Sequence, residues 1–453
     1  MGHWSQSAVF YQIYPLGLCG APRKNDFKSS PVDRLQLLQP WLDHIRDLGA
    51  NALYLGPLFE SSTHGYDTAD YMRVDRRPGT NEDLSRLIVA AHAKGIRIIL
   101  DGVFNHVGRD FWAFKDVVAR QEGSSYASWF NSLSFGKQSP FGDPFSYEGW
   151  NGHFSLVKLN LTHPDVKEHI FVAIDSWVRE YRIDGLRLDA ADVMDLGFLR
   201  ELSARCRRLY PGFWLLGEVV HGDYRKWANV ETLDSVTNYE YYKGLYSSHV
   251  DRNYFEIAYS LNRQFGPAGL YQGLPLYAFA DNHDVNRVAS ALKEARHLYP
   301  LYCILFTIPG VPSIYYGSEW GIEGKKDGTD WPLRPLLSLE ELCHASPLPE
   351  LPQVIGRLAG IRFQSAALRM GNYRQLHVSH EQLAFARSHN GHTVVVAVNS
   401  SSDPTNVRLE IPGVQGGRLV DELNPGMEFA VRNGVAKVNP VPASWARIME
   451  LRA

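Results

Sequence analysis

The feature that most constrains this chain is a regular alternation of short apolar runs and longer amphipathic stretches over residues 9–364. A short apolar run bounded by turn residues is typical of a buried strand, and apolar residues at helical spacing are typical of a helix packed on a sheet. Strands are predicted at 9–14, 52–55, 96–100, 185–192, 214–217, 235–238, 277–279 and 313–316. Helices are predicted at 35–48, 81–94, 164–181, 198–209, 254–265, 297–308 and 349–364, with Asn81 as the cap of the second.

This alternation indicates a parallel sheet covered by helices, because a parallel crossover needs a connection long enough to hold a helix. Eight such units predict an α/β fold, a closed (β/α)8 TIM barrel, with its active site at the carboxyl ends of the strands. An open, doubly wound sheet is the rival fold. Its dinucleotide-binding form carries a GxGxxG turn after the first strand, and no such turn is present here.

The remaining segments predict two additions to the barrel. Residues 107–157 are rich in Gly, Ser, Phe, Trp and Pro without clear periodicity, and loops of that length in a compact domain are usually functional. After residue 370, short alternating β-branched runs separated by Gly, Asn and Pro predict an all-β sandwich. The predicted domains are a barrel (1–106 and 158–370), an inserted domain (107–157) and a C-terminal β-sandwich (371–453).

Composition excludes several classes of partner. The formal net charge of −3 argues against nucleic acid or an anionic membrane, and no stretch approaches the ~18 uninterrupted apolar residues of a membrane span. No basic and apolar leader is visible at the N-terminus. Cys19, Cys206, Cys303 and Cys343 are far apart and lack metal spacing, so we predict buried free thiols in a reducing compartment. We therefore expect a soluble, cytoplasmic protein.

Polar side chains lie at the carboxyl ends of the third, fourth, fifth and seventh predicted strands. Polar residues that several strands contribute to one rim are what a barrel active site requires. They are Asp101, Asn105 and His106; Arg187 and Asp189; Glu218 and His221; and His283, Asp284 and Arg287.

Asp189 and Glu218 follow neighbouring strands, which lie ~4.7–4.9 Å apart in a sheet. That spacing is close to the ~5–5.5 Å that separates the two acids of a retaining glycosidase. Arg187 points to the same side of its strand as Asp189 and favours the ionised carboxylate. The apolar run before Glu218 predicts a raised pKa and a proton donor. Taken alone, the Arg187–Asp189 pair fits either a nucleophile or a plain ion pair, and Glu218 favours the nucleophile.

Four segments, in order, resemble the motifs of the α-amylase superfamily of glycoside hydrolases (family 13). They are DGVFNH at 101–106, GLRLDAAD at 185–192, GEVVHG at 217–222 and FADNHD at 279–284. The resemblance spans nearly the whole chain. It implies that Asp189 is the nucleophile, that Glu218 is the general acid/base and that Asp284 is a third carboxylate that holds the sugar. It further implies that Arg187 orients Asp189 and that Asp101 supports the site.

The resemblance also implies contacts to the sugar at the cleavage point. His106 and His283 match histidines that bind its hydroxyls, and Tyr66 matches a tyrosine that stacks under its ring. His221, the histidine of GEVVHG, is predicted to bind substrate as well.

Asp330 and Arg334 have the spacing of a pair that grips the next sugar in this superfamily, and Asp67 is expected to join them. Asn105 occupies a position that holds calcium in many relatives. Its partner ligands are not found in 107–157, so no metal or cofactor is predicted.

The segment LVKLN at 156–160 resembles the MPKLN motif of cyclomaltodextrinases, neopullulanases and maltogenic amylases, with Val157 in place of proline. Those enzymes usually carry an N-terminal β-domain, which is expected to be absent here because the first strand starts at Val9. Val220 stands where an aromatic residue is usual, and AADV at 190–193 replaces their VANE. Because of these departures, the resemblance does not fix which glucan or which bond the enzyme prefers.

The resemblance implies a retaining hydrolase of α-1,4 and α-1,6 bonds in short or cyclic maltooligosaccharides, which releases maltose or similar products. Three alternatives stay open: a hydrolase of cyclic maltosyl-maltose, an α-glucan transglycosylase with the same catalytic residues, and a non-catalytic scaffold. The scaffold is disfavoured because all three acids are present. The expected partner is a small oligosaccharide, and the sequence does not fix the number of subunits.

Overall fold

The computed structural model describes residues 3–453. Its central sheet is built from apolar runs that are buried almost throughout. These strands are β1 (Phe10–Ile13), β2 (Ala52–Leu55), β3 (Arg97–Gly102), β4 (Gly185–Leu188), β5 (Trp214–Gly217), β6 (Ser235–Val236), β7 (Tyr277–Phe279) and β8 (Val311–Tyr315). They are parallel and lie in the order β6-β5-β4-β3-β2-β1-β8-β7.

The two outermost strands of that order meet and close the sheet. Thr237, just after β6, forms a parallel bridge with Tyr277 of β7, and the amide of Asn238 donates to the Tyr277 carbonyl at 2.9 Å. Closure removes the unpaired edges that an open sheet would expose. The predicted (β/α)8 barrel is therefore confirmed, and the doubly wound alternative is excluded.

Helices cover the outside of the barrel and bury one face against it. The principal ones are α1 (Gln39–Asp47), α2 (Asn81–Ala93), α3 (Pro164–Tyr181), α4 (Leu196–Leu209), α5 (Tyr239–Val250), α6 (Phe255–Phe265), α7 (Leu298–Thr307) and α8 (Leu351–Gln364). Helix α5 is not among the predicted helices, because its tyrosines and serines are spread around the helix and leave no single apolar stripe.

The N-terminal cap of α2 differs from the prediction. Thr80, rather than Asn81, caps the helix: its hydroxyl accepts from the Asp83 amide at 3.2 Å, and the Asp83 carboxylate accepts from the Thr80 amide at 2.9 Å. This reciprocal pair is a capping box. Asn81 instead accepts from the Val74 amide at 2.8 Å and ties the helix to the preceding strand.

Large apolar side chains fill the barrel interior. Trp214 stacks on Phe10 with ring centroids 5.1 Å apart, and Tyr277 packs edge-on against Phe10 at 5.5 Å. Tyr54 and Ile99 belong to the same buried cluster. A filled interior leaves room for a ligand only at a rim of the barrel.

The chain between β3 and α3 forms a small sheet beside the carboxyl rim, joined by a helix at Trp112–Arg120. Lys158 pairs with His106 and Leu156 with Gly108, so both ends of this segment are tied to the end of β3. The bounds 107–157 stay a prediction. The strands of this sheet are His106–Gly108, Gly149–Trp150 and His153–Lys158, and a hairpin after β2 pairs Phe59–Ser61 with Thr68–Val74.

The C-terminal residues form an antiparallel sheet of eight strands. Val395, Leu409, Leu419 and Met449, from four different strands, share one apolar core inside it. The predicted all-β unit is confirmed, as a single sheet that curls around its own core. Its strands are β9 (Asn372–Val378), β10 (Gln382–His389), β11 (His392–Asn399), β12 (Thr405–Glu410), β13 (Gly416–Asp421), β14 (Glu428–Arg432), β15 (Val435–Val441) and β16 (Trp445–Arg452). They lie in the order β9-β10-β11-β16-β13-β14-β15-β12.

The cysteines follow the prediction with one exception. Cys19, Cys206 and Cys303 are buried free thiols, whereas Cys343 is exposed. The exposed position contradicts the prediction for Cys343, which lies on a short helix whose polar face meets solvent. Across residues 3–453, no helix is both long enough and apolar enough to cross a membrane.

The buried Arg387 joins the barrel to the C-terminal sheet, and a second buried arginine contacts the same helix end. Arg387 of β10 donates to the carbonyl of Thr307, the last residue of α7, at 2.6 Å. Arg362 of α8 donates to the carbonyls of Phe306 and Ile308 at 2.9 and 3.1 Å. The last carbonyls of a helix have no partner inside it, so Arg387 satisfies one of them across the junction and Arg362 satisfies its neighbours from within the barrel.

Arg387→Ala is expected to lower the free energy of unfolding by about 2–3 kcal/mol, because a buried carbonyl left without its donor costs about 1–3 kcal/mol. Urea denaturation followed by circular dichroism measures the change. Arg374→Ala, on an exposed position of β9, is the matched control and should change stability by less than about 0.5 kcal/mol. Equal effects of the two substitutions would contradict the role given to the junction.

Candidate active site

The carboxyl ends of β3, β4, β5 and β7 bring the predicted polar side chains to one rim of the barrel. In the register of β4 with β5, Leu188 lies opposite Gly217. The next residue of each strand is Asp189 and Glu218, so the two acids stand side by side. The rim geometry that the sequence predicted for this pair is present.

Arg187 is the centre of this group of side chains. Its guanidinium lies 2.9 Å from a carboxyl oxygen of each of Asp101, Asp189 and Glu218. The Arg187 side chain is only 3% exposed, so these contacts form out of water, where charge-assisted hydrogen bonds are strong. One cation therefore bridges carboxyl groups from three neighbouring strands.

The electrostatics of the two adjacent acids differ in part from the prediction. Burial raises the pKa of Asp189 well above its usual range, although the Arg187 guanidinium lowers it, and the carboxyl of Glu218 adds to the rise. Burial also raises the pKa of Glu218, as predicted, again against Arg187. The prediction that Arg187 keeps the pKa of Asp189 low is wrong, because burial outweighs the guanidinium. Raised pKa values on both acids favour a proton on the pair.

Asp284 has the opposite setting. Burial raises its pKa, but the contacts with His283 and Arg334 outweigh burial and hold the pKa of Asp284 below its usual range. His283 Nε2 lies 2.9 Å from one carboxylate oxygen, and Arg334 Nη2 lies 2.8 Å from the other. Asp284 therefore places a fixed negative charge in the site beside an acid pair that carries a proton.

His106 is a neutral hydrogen-bond donor aimed at the reaction centre. Burial lowers the pKa of His106 to about 3, and the Asn105 amide lies 3.2 Å from its Nδ1. Its Nε2 is 3.7 Å from an Asp189 carboxylate oxygen and has no hydrogen-bond partner within residues 3–453. A buried donor without a partner is suited to a hydroxyl group of a bound ligand.

Tyr66 and His283 form a stacked pair below the acids, with ring centroids 5.5 Å apart. The Tyr66 hydroxyl donates to Asp101 at 3.0 Å and contacts His283 Nε2. The Gln12 amide, at the end of β1, lies 2.8 Å from His283 Nδ1. These bonds fix both rings, and Gln12 was not among the predicted site residues.

Ala190 turns the chain directly after Asp189. Its φ of 48° and ψ of 40° lie in the left-handed region, which costs a residue with a Cβ about 1–2 kcal/mol. In that conformation its amide donates to Glu218 Oε2 at 2.9 Å, and the Asp192 amide donates to the Glu218 carbonyl at 3.2 Å. The turn after the nucleophile position thus fixes the neighbouring acid.

Arg334 and Asp330 form the predicted pair at the wall of the site, 3.2 Å apart. Arg334 Nε also donates to the His283 carbonyl at 3.1 Å, and Asp330 pairs with Lys326 at 2.8 Å. A hydrogen-bonded row of charges therefore runs from Asp284 outward to the protein surface.

A cleft of about 710 Å³ opens over this group. Asp101, Arg187 and His283 contact its wall residues from behind and hold them in place. The predicted residues that line the cleft are Tyr66, His106, Asp189, Glu218, Asp284, Asp330 and Arg334.

Several wall residues were not predicted. Leu156 belongs to the LVKLN segment, and the aromatic composition of 107–157 was the only signal for Trp150. Tyr239 carried no signal, because it begins the unpredicted helix α5. The further wall residues are His64, His153, Ser155, Asp192, Val285, Lys326, Thr329 and Trp331, and the departures Ala190 and Val220 also line the cleft.

Two predicted residues do not join the site. Asp67 is buried and accepts from the Thr63 hydroxyl at 2.6 Å, so it holds the loop that carries His64. His221 is exposed and, in the part of the chain that the structure describes, lies outside the cleft lining. The predicted substrate contacts of these two residues have no support in the geometry.

Asn105, which the resemblance assigns to a calcium position, contacts Nδ1 of His106 through its side-chain amide nitrogen at 3.2 Å. Over residues 3–453, no group of three or more His, Cys, Asp or Glu side chains is placed to hold a metal ion. The expectation of no cofactor stays a prediction.

Comparison with known proteins agrees with the class of enzyme that this fold and this group of acids define. Residues 35–355 match the catalytic domain of α-amylase, and residues 373–446 match the neopullulanase-like C-terminal domain. The chain therefore belongs to the α-amylase family of glycoside hydrolases.

Individual relatives are similar over most of the chain. A cyclomaltodextrinase from a Bacillus species is 32% identical over 92% of this chain and 76% of its own length. Neopullulanase 2 from Thermoactinomyces vulgaris is 32% identical over 97% and 77%. The solved structure of a cyclic α-maltosyl-(1→6)-maltose hydrolase from Arthrobacter globiformis has a TM-score of 0.82 at 27% identity and covers 99% of both chains.

Gly17→Ala is expected to disturb the site through Arg334. A Cβ at Gly17 would lie 2.2 Å from the Arg334 carbonyl oxygen, so the backbone that carries Arg334 must move. A misplacement of about 1 Å can lower activity by about 10²-fold, and kcat/KM for an α-glucoside substrate measures it. Gly123→Ala, where nothing lies within 4 Å of the new Cβ, is the control and should leave kcat/KM unchanged. Unchanged activity in Gly17→Ala would contradict the role of Arg334.

Proposed function

We propose that this enzyme hydrolyses α-glucosidic bonds in short or cyclic maltooligosaccharides with retention of configuration, and that it releases maltose or similar products. The observation that carries the proposal is the adjacent pair Asp189 and Glu218, bridged by one buried guanidinium. Two acids on neighbouring strand ends suit the short spacing of the retaining mechanism, ~5–5.5 Å.

In this mechanism Asp189 attacks the anomeric carbon while Glu218 gives its proton to the leaving glycosidic oxygen. A glycosyl ester on Asp189 results, and Glu218 is left as a carboxylate. Glu218 then takes a proton from water, the water oxygen attacks the anomeric carbon, and Asp189 leaves. Proton and charge return to their starting places after the second displacement.

The surrounding residues act on the charge that develops in between. Arg187 stabilises whichever of Asp189 and Glu218 is ionised, because it contacts both. Asp284, held ionised by His283 and Arg334, favours the positive character of the sugar ring in the transition state. His106 offers its free Nε2–H to a sugar hydroxyl.

The cleft and the relatives support a short or cyclic substrate. The cleft of about 710 Å³ has the size of a small-molecule site, and its wall residues Trp150 and Leu156 offer apolar surface to a sugar ring. The relatives named cyclomaltodextrinase and neopullulanase support the same class. Among cyclic glucans, cyclic maltosyl-maltose is the second candidate, since the hydrolase of that sugar aligns with 99% of the chain.

A cytoplasmic location is part of the proposal. The buried free thiols Cys19, Cys206 and Cys303 fit a reducing compartment. An intracellular maltogenic amylase from Bacillus subtilis, 29% identical over 72% of this chain, supports it.

The experiment that tests the substrate class is incubation with maltotetraose, a cyclodextrin, panose, pullulan, cyclic maltosyl-maltose and starch, followed by chromatography of the products. We expect the highest kcat/KM on a short or cyclic substrate and maltose among the products, and no turnover by Asp189→Asn. A strong preference for starch would contradict the substrate class, and normal turnover by Asp189→Asn would contradict the site.

Glu218→Gln is expected to lower kcat/KM for maltotriose by about 10²–10⁴-fold, the usual contribution of a general acid. It should lower kcat/KM for α-maltosyl fluoride far less, because fluoride leaves without a proton. Burial raises the pKa of Glu218, so wild-type activity on maltotriose should fall as pH rises through that raised pKa, and the variant should lack this fall. Glu122→Gln, at an exposed position, is the control. Equal losses on both substrates would exclude Glu218 as the proton donor.

A further inference from the structure

Trp331 is a wall residue of the cleft for which the mechanism above has no role. It is half-buried and lines the cleft. It opens the short helical turn Trp331–Leu333, which begins after Asp330 and ends at Arg334. Trp331 is therefore placed between the two charged residues that are proposed to grip a sugar.

The indole ring of Trp331 is held from behind. The Arg23 guanidinium lies over the ring at 5.1 Å from its centroid, a cation–π contact. Tyr14 meets the ring edge-on at 6.4 Å. The Arg23 carbonyl accepts a hydrogen bond from Arg77 at 3.3 Å, so the loop that backs the ring is itself fixed. Arg23 and Tyr14 thus position the ring, which lines the cleft, before any ligand arrives.

A row of charged side chains beside Trp331 leads from the reaction centre to the protein surface. Asp284 contacts Arg334 at 2.8 Å, Arg334 contacts Asp330 at 3.2 Å, and Asp330 contacts Lys326 at 2.8 Å. Lys326 is 47% exposed, so the row leads from the reaction centre to solvent. Trp331 lies next to Asp330, toward the outer end of this row.

We infer that Trp331 is a stacking platform for a glucose unit on the non-reducing side of the cleavage point, outward of the unit that Asp189 attacks. The inference rests on the proposed function. An aromatic ring offers an apolar face with a polar edge, which matches the apolar face and hydroxyl rim of a sugar. Asp330 and Lys326 stand at its border as partners for those hydroxyls. The enzyme then uses binding energy from a remote sugar to accelerate cleavage.

The test is a ladder of p-nitrophenyl α-glucoside, α-maltoside and α-maltotrioside, with release of p-nitrophenol as the readout. In these substrates the aglycone fixes the cleaved bond, and each step adds one sugar on the non-reducing side. Wild-type kcat/KM should rise along the ladder. Trp331→Ala should reduce the increase in kcat/KM at one of these steps about tenfold, which corresponds to about 1.4 kcal/mol. It should lower kcat/KM for the shortest hydrolysed glycoside by much less than this, and Trp331→Phe should restore most of the increase.

Trp112→Ala is the matched control, since Trp112 is another partly exposed tryptophan, 40% exposed, and is not a wall residue of the cleft. It should leave the ladder unchanged. Equal loss by Trp331→Ala on every rung would overturn the inference, because Trp331 would then only shape the turn that carries Arg334. A flat wild-type ladder would overturn it too. Absence of p-nitrophenol from all three substrates with the wild-type enzyme would instead overturn the proposed function.

Discussion

The Arg187 guanidinium holds three carboxyl groups at the rim of the barrel, and the geometry of the reaction centre depends on it. Asp101, Asp189 and Glu218 come from three adjacent strands, and each lies 2.9 Å from this one cation. Without it, burial of three acids in contact would be strongly unfavourable. With it, burial still raises the pKa of both Asp189 and Glu218. The raised pKa values favour a proton on this pair, and glycosidic cleavage needs that proton.

The register of the barrel strands and the filled barrel interior place these side chains. Parallel pairing of β4 with β5 sets Leu188 opposite Gly217, so the next residues meet. Trp214 and Phe10 fill the barrel interior, which confines a ligand to the rim. The segment after β3 returns to pair with His106 and builds a wall over the acids. Each of these constraints is a packing or backbone requirement, and together they leave one cleft in which the acids, the neutral His106 and the ionised Asp284 face a bound sugar.

Most of the barrel and its acids could be predicted from the sequence, for identifiable reasons. Strands such as 52–55 and 214–217 are apolar at nearly every position because both of their faces are buried. Asp189 and Glu218 are the first acidic residues after β4 and β5, so their place at the rim could be predicted. The shared contact of Arg187 could not be predicted, because it depends on the register between strands. Trp150 and Tyr239 were missed because distant segments place them. Asp67 and His221 were assigned by motif position, and the structure uses Asp67 to hold a loop and leaves His221 in solvent.

The central claim is that Asp189 forms the covalent bond to the sugar and Glu218 handles the proton. It is tested most directly by trapping the intermediate with 5-fluoro-α-D-glucosyl fluoride, whose glycosyl ester turns over slowly. Proteolysis and tandem mass spectrometry then locate the added mass. The account predicts a single fluoroglucosyl group on the Asp189 carboxyl and none in Asp189→Asn. Label on Glu218, Asp284 or any other residue would contradict it.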